Sequence, residues 1–247
     1  MEWDAQKYYE TCGRVTEHGT KLVEVLKKMR CDRVLDLGCG TGVLTNEISE
    51  FAKEIIGVDA SAVMIEKAKA TYPNLQFIVK DACLLDWEDY FDVVFSNAVF
   101  HFIKTQDVLL SSIYKSLKVG GLLICEFGAD GNIAALLKAV AEACTKRGKE
   151  YSLRFYYPTP EEYGALLEKH NFTIASMITY DLDTQLIEGE IGLRNWINQI
   201  FSTEMGWFEA PVREEVLCEI EAALRPMQWD GFNWHLPNRR IRVVAHK

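Results

Sequence analysis

The sequence has 247 residues, of which 49% are hydrophobic, so it can bury a sizeable core and is long for one small domain. Its formal net charge of −9 at pH 7 provides no broad positive surface of the kind that binds nucleic acid or anionic lipid. We therefore expect one α/β domain with an inserted or appended subdomain, and neither a nucleic-acid nor a membrane partner.

The cysteines and histidines form no pattern that predicts a metal site. The seven cysteines lie at least eight positions apart, so no CxxC pair is present, and the five histidines lack metal-ligand spacing. Thiols without close partners are typical of a reducing compartment. The sequence starts with charged residues rather than a signal peptide, and no apolar run approaches the roughly 20 residues that span a bilayer. We expect a cytoplasmic protein.

Short apolar runs alternate with helical patterns in the first half of the chain. The runs are nearly continuous in apolar residues, which is typical of strands covered by helices on both faces. Alternation of this kind predicts right-handed crossovers and a doubly wound parallel sheet. The predicted strands are residues 33–37, 54–58, 75–80, 92–96 and 122–127.

Past residue 128, helical patterns replace this alternation. Residues 130–150 and 158–172 predict helices, and residues 186–229 are helical and rich in large side chains. Two further strands are predicted at 173–182 and 239–247, and we expect the last one to be antiparallel.

These elements predict three segments. A core at residues 31–182 and 238–247 contains the seven strands. A helical lid segment at 1–30 precedes it, and a helical cap at 183–237 is inserted between the last strands, where it could cover a site.

The turn after the first strand is rich in glycine and reads Gly38-Cys39-Gly40-Thr41-Gly42. In an open α/β sheet, ligands bind beyond the carboxyl ends of the strands, so this turn is a candidate binding site. A dinucleotide-binding fingerprint would need a third glycine at Val43, and the phosphate loop of nucleotide hydrolases would need a lysine that is absent here. Both phosphate-binding interpretations therefore fail.

An aspartate follows or ends each of the first three strands, at Asp36, Asp59 and Asp81. Three carboxylates suit a ligand with hydroxyls, amines and positive charge, and they disfavour a pyrophosphate. Asp59 lies close to the ~20-residue offset at which an acid accepts from a ribose diol. Each residue alone could be part of a turn or a helix cap, but their occurrence at consecutive strand ends favours a binding site.

Four stretches in this order, "VLDLGCGTG", "IIGVDAS", "FIVKDA" and "FDVVFSNAVFHFI", resemble the class I S-adenosylmethionine-dependent methyltransferases. The resemblance implies a Rossmann-like sheet, S-adenosylmethionine as methyl donor and S-adenosylhomocysteine as product. It also implies the residues that hold the donor: Asp36, Gly38, Cys39, Gly40 and Gly42 at the methionine end; Asp59, Ala60 and Met64 at the ribose and adenine; Asp81, Ala82 and Cys83 at the adenine amine; Asn97 and Ala98 beneath the sulfonium.

Three other stretches, "WDAQKYY", "LRNWINQIF" and "LPNRRIRVVAHK", resemble the trans-aconitate methyltransferase group, which shares its plan with the malonyl-thioester methyltransferases. Members esterify a carboxylate on a small acid. The chain departs from the group in having "GRVTEHG" instead of an arginine-proline signature, and Arg242 where an apolar residue is preferred. The resemblance implies an acid as acceptor, with Tyr8, Trp196 and Arg240 on the acceptor side; Trp196 could equally belong to a packed helical core.

A carboxylate acceptor is ionised at neutral pH and needs no general base. "SNAVF" stands where amino-group methyltransferases carry an Asn/Asp-Pro-Pro-Tyr/Phe run, which argues against that chemistry. His101, with Asn97 a candidate catalytic residue, could act as a base or merely line the pocket. An acid would need a cation, and arginine suits carboxylates. The candidate arginines are Arg154, Arg194, Arg239 and Arg240.

Three alternatives to carboxylate O-methylation stay open at this point. The methyl group could go to carbon or nitrogen of another small metabolite, the protein could be a nicotinamide-binding oxidoreductase, or it could bind a ligand without catalysis. Val43 and Asp36 speak against the oxidoreductase. We expect a monomer or homodimer.

Overall fold

The computed structural model describes residues 13–28, 31–186 and 188–247, with side chains described from residue 19 onward. These residues fall into two compact units. The larger unit contains residues 14–130, 155–180 and 240–247, and the smaller unit contains residues 131–154 and 181–239 together with residue 13. Of the helices in the described ranges, none is both long and apolar enough to cross a membrane.

Seven strands form one sheet in the order β3-β2-β1-β4-β5-β7-β6. The strands β1 to β5 pair in parallel, whereas β7 pairs antiparallel with β5. The prediction of a doubly wound, seven-stranded Rossmann-like sheet with an antiparallel last strand is therefore confirmed. The strands are β1 Arg33–Leu37, β2 Glu54–Asp59, β3 Gln76–Val79, β4 Phe91–Asn97, β5 Leu117–Gly128, β6 Thr173–Leu186 and β7 Trp234–His246.

Most helices lie where the periodicity predicts them, and two begin at side-chain caps. Ser61 caps α3, and Thr159 with Glu162 forms a capping box at the start of α6. The α-helices are α1 Gly13–Lys27, α2 Val43–Ser49, α3 Ala62–Thr71, α4 Gln106–Ser116, α5 Ala134–Thr145, α6 Pro160–Lys169, α7 Gly192–Ile200, α8 Ser202–Met205 and α9 Ala210–Gln228; short 3₁₀ turns lie at Ala82–Leu84, Phe100–Phe102 and Gly189–Ile191.

The late strands are longer than their apolar runs predict. Strand β5 begins at Leu117, before the glycine pair that interrupts its apolar pattern. The end of the chain supplies the reason, because Gly120 N–H donates to the Lys247 carbonyl (3.1 Å) and Lys247 N–H donates to the Gly121 carbonyl (2.9 Å). Pairing with a strand far away in sequence, rather than local pattern, sets these boundaries.

The larger unit has a core on each face of its sheet. On one face Phe95 and Ile124 pack with Leu22 and Leu26 of α1. On the other face lies a larger cluster that includes Val94, Leu123, Leu109, Ile113, Tyr163 and Val243. Alternate residues of β4 and β5 thus point to opposite cores, as expected for a sheet covered on both faces.

The smaller unit is helical and has its own ion pairs. Arg147, just past α5, donates two hydrogen bonds to Glu219 of α9, at 3.2 and 2.9 Å. Arg225 lies over the rings of Trp229 and Trp234, 5.0 and 4.9 Å from their centroids. The function of residues 183–237 as a cap stays a prediction.

Candidate active site

The glycine turn lies where the strand order reverses, since β1 has β2 on one side and β4 on the other. Gly38 and Gly40 both have left-handed backbone, with φ of 78° and 54°. A Cβ on Gly38 would lie 2.2 Å from Cγ2 of Val99, whereas a Cβ on Gly40 would meet nothing within 4 Å. Gly38 is therefore required by packing, and the backbone at Gly40 borders open space that a ligand could approach.

Asp36 is buried at the end of β1. The Thr45 hydroxyl donates to its Oδ2 at 2.5 Å. Burial raises the pKa of Asp36 to about 7, and the nearby charge of Asp59 raises it further, while the Thr45 hydrogen bond opposes the rise. A buried carboxyl that titrates near neutrality will ionise when a cation binds beside it.

Asp59 is held by two backbone amides. Gly40 N–H donates to its Oδ2 at 3.0 Å, and Ser61 N–H donates to its Oδ1 at 2.8 Å. Burial raises the pKa of Asp59, and the two amides oppose the rise. Each carboxylate oxygen has a second lone pair, so Asp59 can also accept from two hydroxyls of a ligand.

The other residues that are predicted to hold the donor lie at the neighbouring strand ends. Ala60 is exposed, Met64 is buried on α3, and Asp81 is exposed and accepts from Cys83 N–H at 2.8 Å, which caps the turn at Ala82. The parallel pairing of β1, β2 and β3 brings Asp36, Asp59 and Asp81 to one edge of the sheet.

Strand β4 ends in an irregular backbone. Ala98 follows Asn97 and has a φ of 59°, a conformation that costs a non-glycine residue roughly 1–2 kcal/mol. Its N–H donates to the Glu126 carbonyl at 2.7 Å, which holds this geometry in place. Strain of this kind is concentrated at functional sites.

His101 is buried and neutral. Burial and the charge of Arg240 hold its pKa well below the usual range. Gly128 N–H donates to Nδ1 of His101 at 3.3 Å, which assigns the proton of the neutral ring to Nε2. The imidazole therefore has a donor as its second polar atom, which disfavours a general base and favours a residue that lines the site.

Arg240 lies on β7 opposite Gly128 and is only 5% exposed. Its Nε has no hydrogen-bond partner, and its guanidinium forms no ion pair with any residue that the structure describes. An unpaired buried charge is costly, so this position suits an anionic ligand.

The other predicted acceptor residues have other environments. Arg194 is bound by Glu221 and Glu214, Arg154 pairs with Glu204 at 2.9 Å, and Arg239 is exposed. Trp196 packs 6.1 Å from Phe201, between ring centroids, within the smaller unit. Tyr8 lies outside the described residues.

Sequence reasoning missed a polar row beside Arg240. Glu126 is fully buried, and Arg242 Nε donates to its Oε2 at 2.7 Å while Arg242 Nη2 donates to the Tyr180 hydroxyl at 3.2 Å. The available signals were an acid inside the apolar run "LLICEF" and two arginines at alternate positions of the last strand.

Residues 35–125 match the family model for the methyltransferase domain. The chain is 28% identical to an uncharacterized methyltransferase of Schizosaccharomyces pombe. The alignment spans 261 residues and covers 99% of this chain and 98% of that protein. The chain is also 30% identical to a trans-aconitate 2-methyltransferase of Deinococcus radiodurans in an alignment of 146 residues, which covers 57% of this chain and 56% of that protein. The solved structure of the YcgJ protein of Bacillus subtilis is 19% identical and has the same fold, with a TM-score of 0.65 over 93% of this chain and 99% of that one.

Proposed function

The chain is a class I S-adenosylmethionine-dependent methyltransferase, and on that premise we propose that it methylates the carboxylate of a small acid to form a methyl ester. When bound, S-adenosylmethionine supplies a methyl group whose transfer to a carboxylate oxygen leaves S-adenosylhomocysteine and moves no proton.

The residues around the glycine turn fit this donor. Asp36 would pair with the ammonium of the methionine end, and its pKa of about 7 allows it to ionise there. Asp59, already oriented by two backbone amides, would accept from the ribose hydroxyls. The open space at Gly40 leaves room for close approach to the backbone. Asp36 and Asp59 would thus both direct negative charge at a cationic ligand.

The observation that carries the acceptor proposal is the buried Arg240, which has no ion-pair partner within the described ranges. A guanidinium binds a carboxylate through two parallel hydrogen bonds, which orients both oxygens. Arg240 would bind and orient the acid, and much of the acceleration can come from such positioning.

The state of His101 agrees with an acceptor that needs no base. Its neutral ring, with the proton at Nε2, could donate a hydrogen bond to the acid but would not remove a proton from it. A carboxylate is already ionised at neutral pH. The similarity to a trans-aconitate 2-methyltransferase, an enzyme named for an acid substrate, also supports a carboxylic acid as the acceptor.

The test is substitution of Arg240 in an assay with radiolabelled donor and a panel of small acids. Arg240→Met should raise KM for the best acid at least tenfold, because a charged hydrogen bond is worth roughly 1.5–3 kcal/mol. Arg240→Lys should rescue only in part, since lysine cannot form the two-pronged contact. Arg239→Met, which removes the exposed neighbour on β7, is the matched control and should change little.

Two results would contradict the proposal. One is an unaltered KM in Arg240→Met. The other is a labelled product that survives mild alkali, because methyl esters release their label as methanol and methylated carbon or nitrogen does not.

A further inference from the structure

A second buried polar atom lies near Arg240. Glu126 is fully buried, and its Oε1 has no hydrogen-bond partner within the described parts of the chain. In the register of the sheet, Glu126 lies between Asn97 on β4 and Arg242 on β7. Asn97 is predicted to lie beneath the sulfonium, so Glu126 lies beside the predicted position of methyl transfer.

Arg240 lies on the same face of the sheet as Glu126. Arg240 pairs with Gly128 and Arg242 pairs with Glu126, so Arg240 is the diagonal neighbour of Glu126 on the adjacent strand. Diagonal neighbours of this kind have Cα atoms about 7–8 Å apart, within reach of long side chains. A buried donor, Nε of Arg240, and a buried acceptor, Oε1 of Glu126, thus lie near each other, and neither has a hydrogen-bond partner among the residues that the structure describes.

We infer that the acceptor is a hydroxy acid, whose carboxylate binds Arg240 and whose hydroxyl donates to Oε1 of Glu126. The inference rests on the proposed function and specifies its substrate class. A ligand with both groups would satisfy two buried atoms that have no partner in the described part of the chain, and an unsatisfied buried polar atom is costly.

Charge balance favours a hydroxyl over an ammonium as the donor group. Arg242 Nε lies 2.7 Å from Oε2 of Glu126, so these two charges cancel and Arg240 leaves the cluster at +1. A hydroxy acid contributes −1 and makes the cluster neutral. An amino acid is a zwitterion and would leave the net charge at +1 in a buried site, which is unfavourable.

The first experiment uses the unmodified protein. With S-adenosylhomocysteine bound, the affinity of lactate is compared with that of propionate, and 3-hydroxybutyrate with butyrate, by calorimetry; alanine and 3-aminobutyrate serve as the amino analogues. We expect each hydroxy acid to bind about ten- to a hundredfold more tightly than its deoxy analogue, because a buried carboxylate oxygen would otherwise stay unsatisfied. Equal affinities, or tighter binding of the amino analogues, would overturn the inference.

The second experiment assigns the preference to Glu126. In Glu126→Gln the ratio of hydroxy-acid to deoxy-acid affinity should fall to within about threefold of one. Using the ratio removes any general effect of the freed Arg242 on anion binding. Arg239→Met, which alters an exposed residue of the same strand, should keep the wild-type ratio. An unchanged ratio in Glu126→Gln, with donor-product affinity intact, would contradict the assignment.

The two proposals can fail separately. Ester formation that is equally efficient with deoxy acids would leave the proposed function standing and remove the hydroxyl contact. Selective binding of hydroxy acids together with an alkali-stable label would contradict ester formation and leave the hydroxyl contact standing.

Discussion

Asp36 carries a consequence for the pH dependence of donor binding. Its pKa rises from 3.8 to about 7 on folding because of burial, so between these values the folded state binds the extra proton. The sign follows from proton counts: this group's contribution to the unfolding free energy of the ligand-free protein decreases as pH rises through that window. An ammonium bound beside Asp36 would favour the ionised carboxylate and so release this proton.

We therefore predict that S-adenosylhomocysteine binds more tightly as pH rises. Between pH 6 and pH 7.5 the ionised fraction of Asp36 grows roughly eightfold, and the affinity should follow. Calorimetric titrations at the two pH values measure the change. In Asp36→Asn the pH dependence should flatten, and a slope as steep as that of the unmodified protein would assign it to another group such as Asp59.

Single residues differ in how far the sequence predicts them. Asp36, Asp59 and Asp81 were predictable as a group because each lies at or just past the carboxyl end of a strand, and parallel strands share a carboxyl edge. Glu126 was not, because its partner Arg242 lies 116 residues away and only the pairing of β5 with β7 brings them together.

At the scale of elements, the start of α6 allows the contribution of a helix cap to stability to be measured. Its start has a capping box in which Glu162 N–H donates to the Thr159 hydroxyl at 3.2 Å and Thr159 N–H donates to Glu162 Oε2 at 2.9 Å. The helix also buries Tyr163 against Phe127, with ring centroids 4.9 Å apart, so its start is coupled to the core of the larger unit.

Thr159→Ala should lower the unfolding free energy by about 1 kcal/mol, since the Glu162 N–H loses its partner at the helix start. Chemical denaturation gives the value. Thr71→Ala, at the exposed end of α3, is the matched control and should change stability by less than about 0.5 kcal/mol. Equal effects at the two sites would mean that the cap contributes nothing beyond helix propensity.

Element boundaries were predictable where one strand and its following helix form a local unit. Strand β1 matches its prediction residue for residue, and β4 differs by one residue at each end. Strands β5, β6 and β7 differ from their predicted bounds because pairing with distant strands, as of β5 with β7, sets where they begin and end.

At the scale of the whole molecule, the topology followed from the alternation of strands and helices. The strand order places the switch point between β1 and β4, next to the glycine turn. Ligand binding there should stabilise the folded chain as a whole, because the turn is supported by β1, β2 and β4 together through Gly38 N–H to the Val58 carbonyl (2.7 Å) and the Ser96 hydroxyl to the Leu37 carbonyl (2.7 Å).

S-adenosylhomocysteine at 100 times its dissociation constant should raise the unfolding free energy by about 2.7 kcal/mol. For a chain of this size that corresponds to roughly 5–10 °C in Tm. A thermal melt with NAD at the same concentration is the comparison and should show no shift, because Val43 interrupts the dinucleotide fingerprint. A shift with NAD alone would favour an oxidoreductase.

The lack of an anionic partner for Arg240 among the described residues bears on how the proposed reaction would end. In the proposed reaction, converting the acid to a methyl ester would remove its negative charge and leave the guanidinium, which is 5% exposed, with no anion among the described residues beside it. The ester would keep its hydroxyl for Glu126 but lose the stronger of its two contacts. The ester would thus compete poorly with the acid for this site, and its accumulation should slow turnover little.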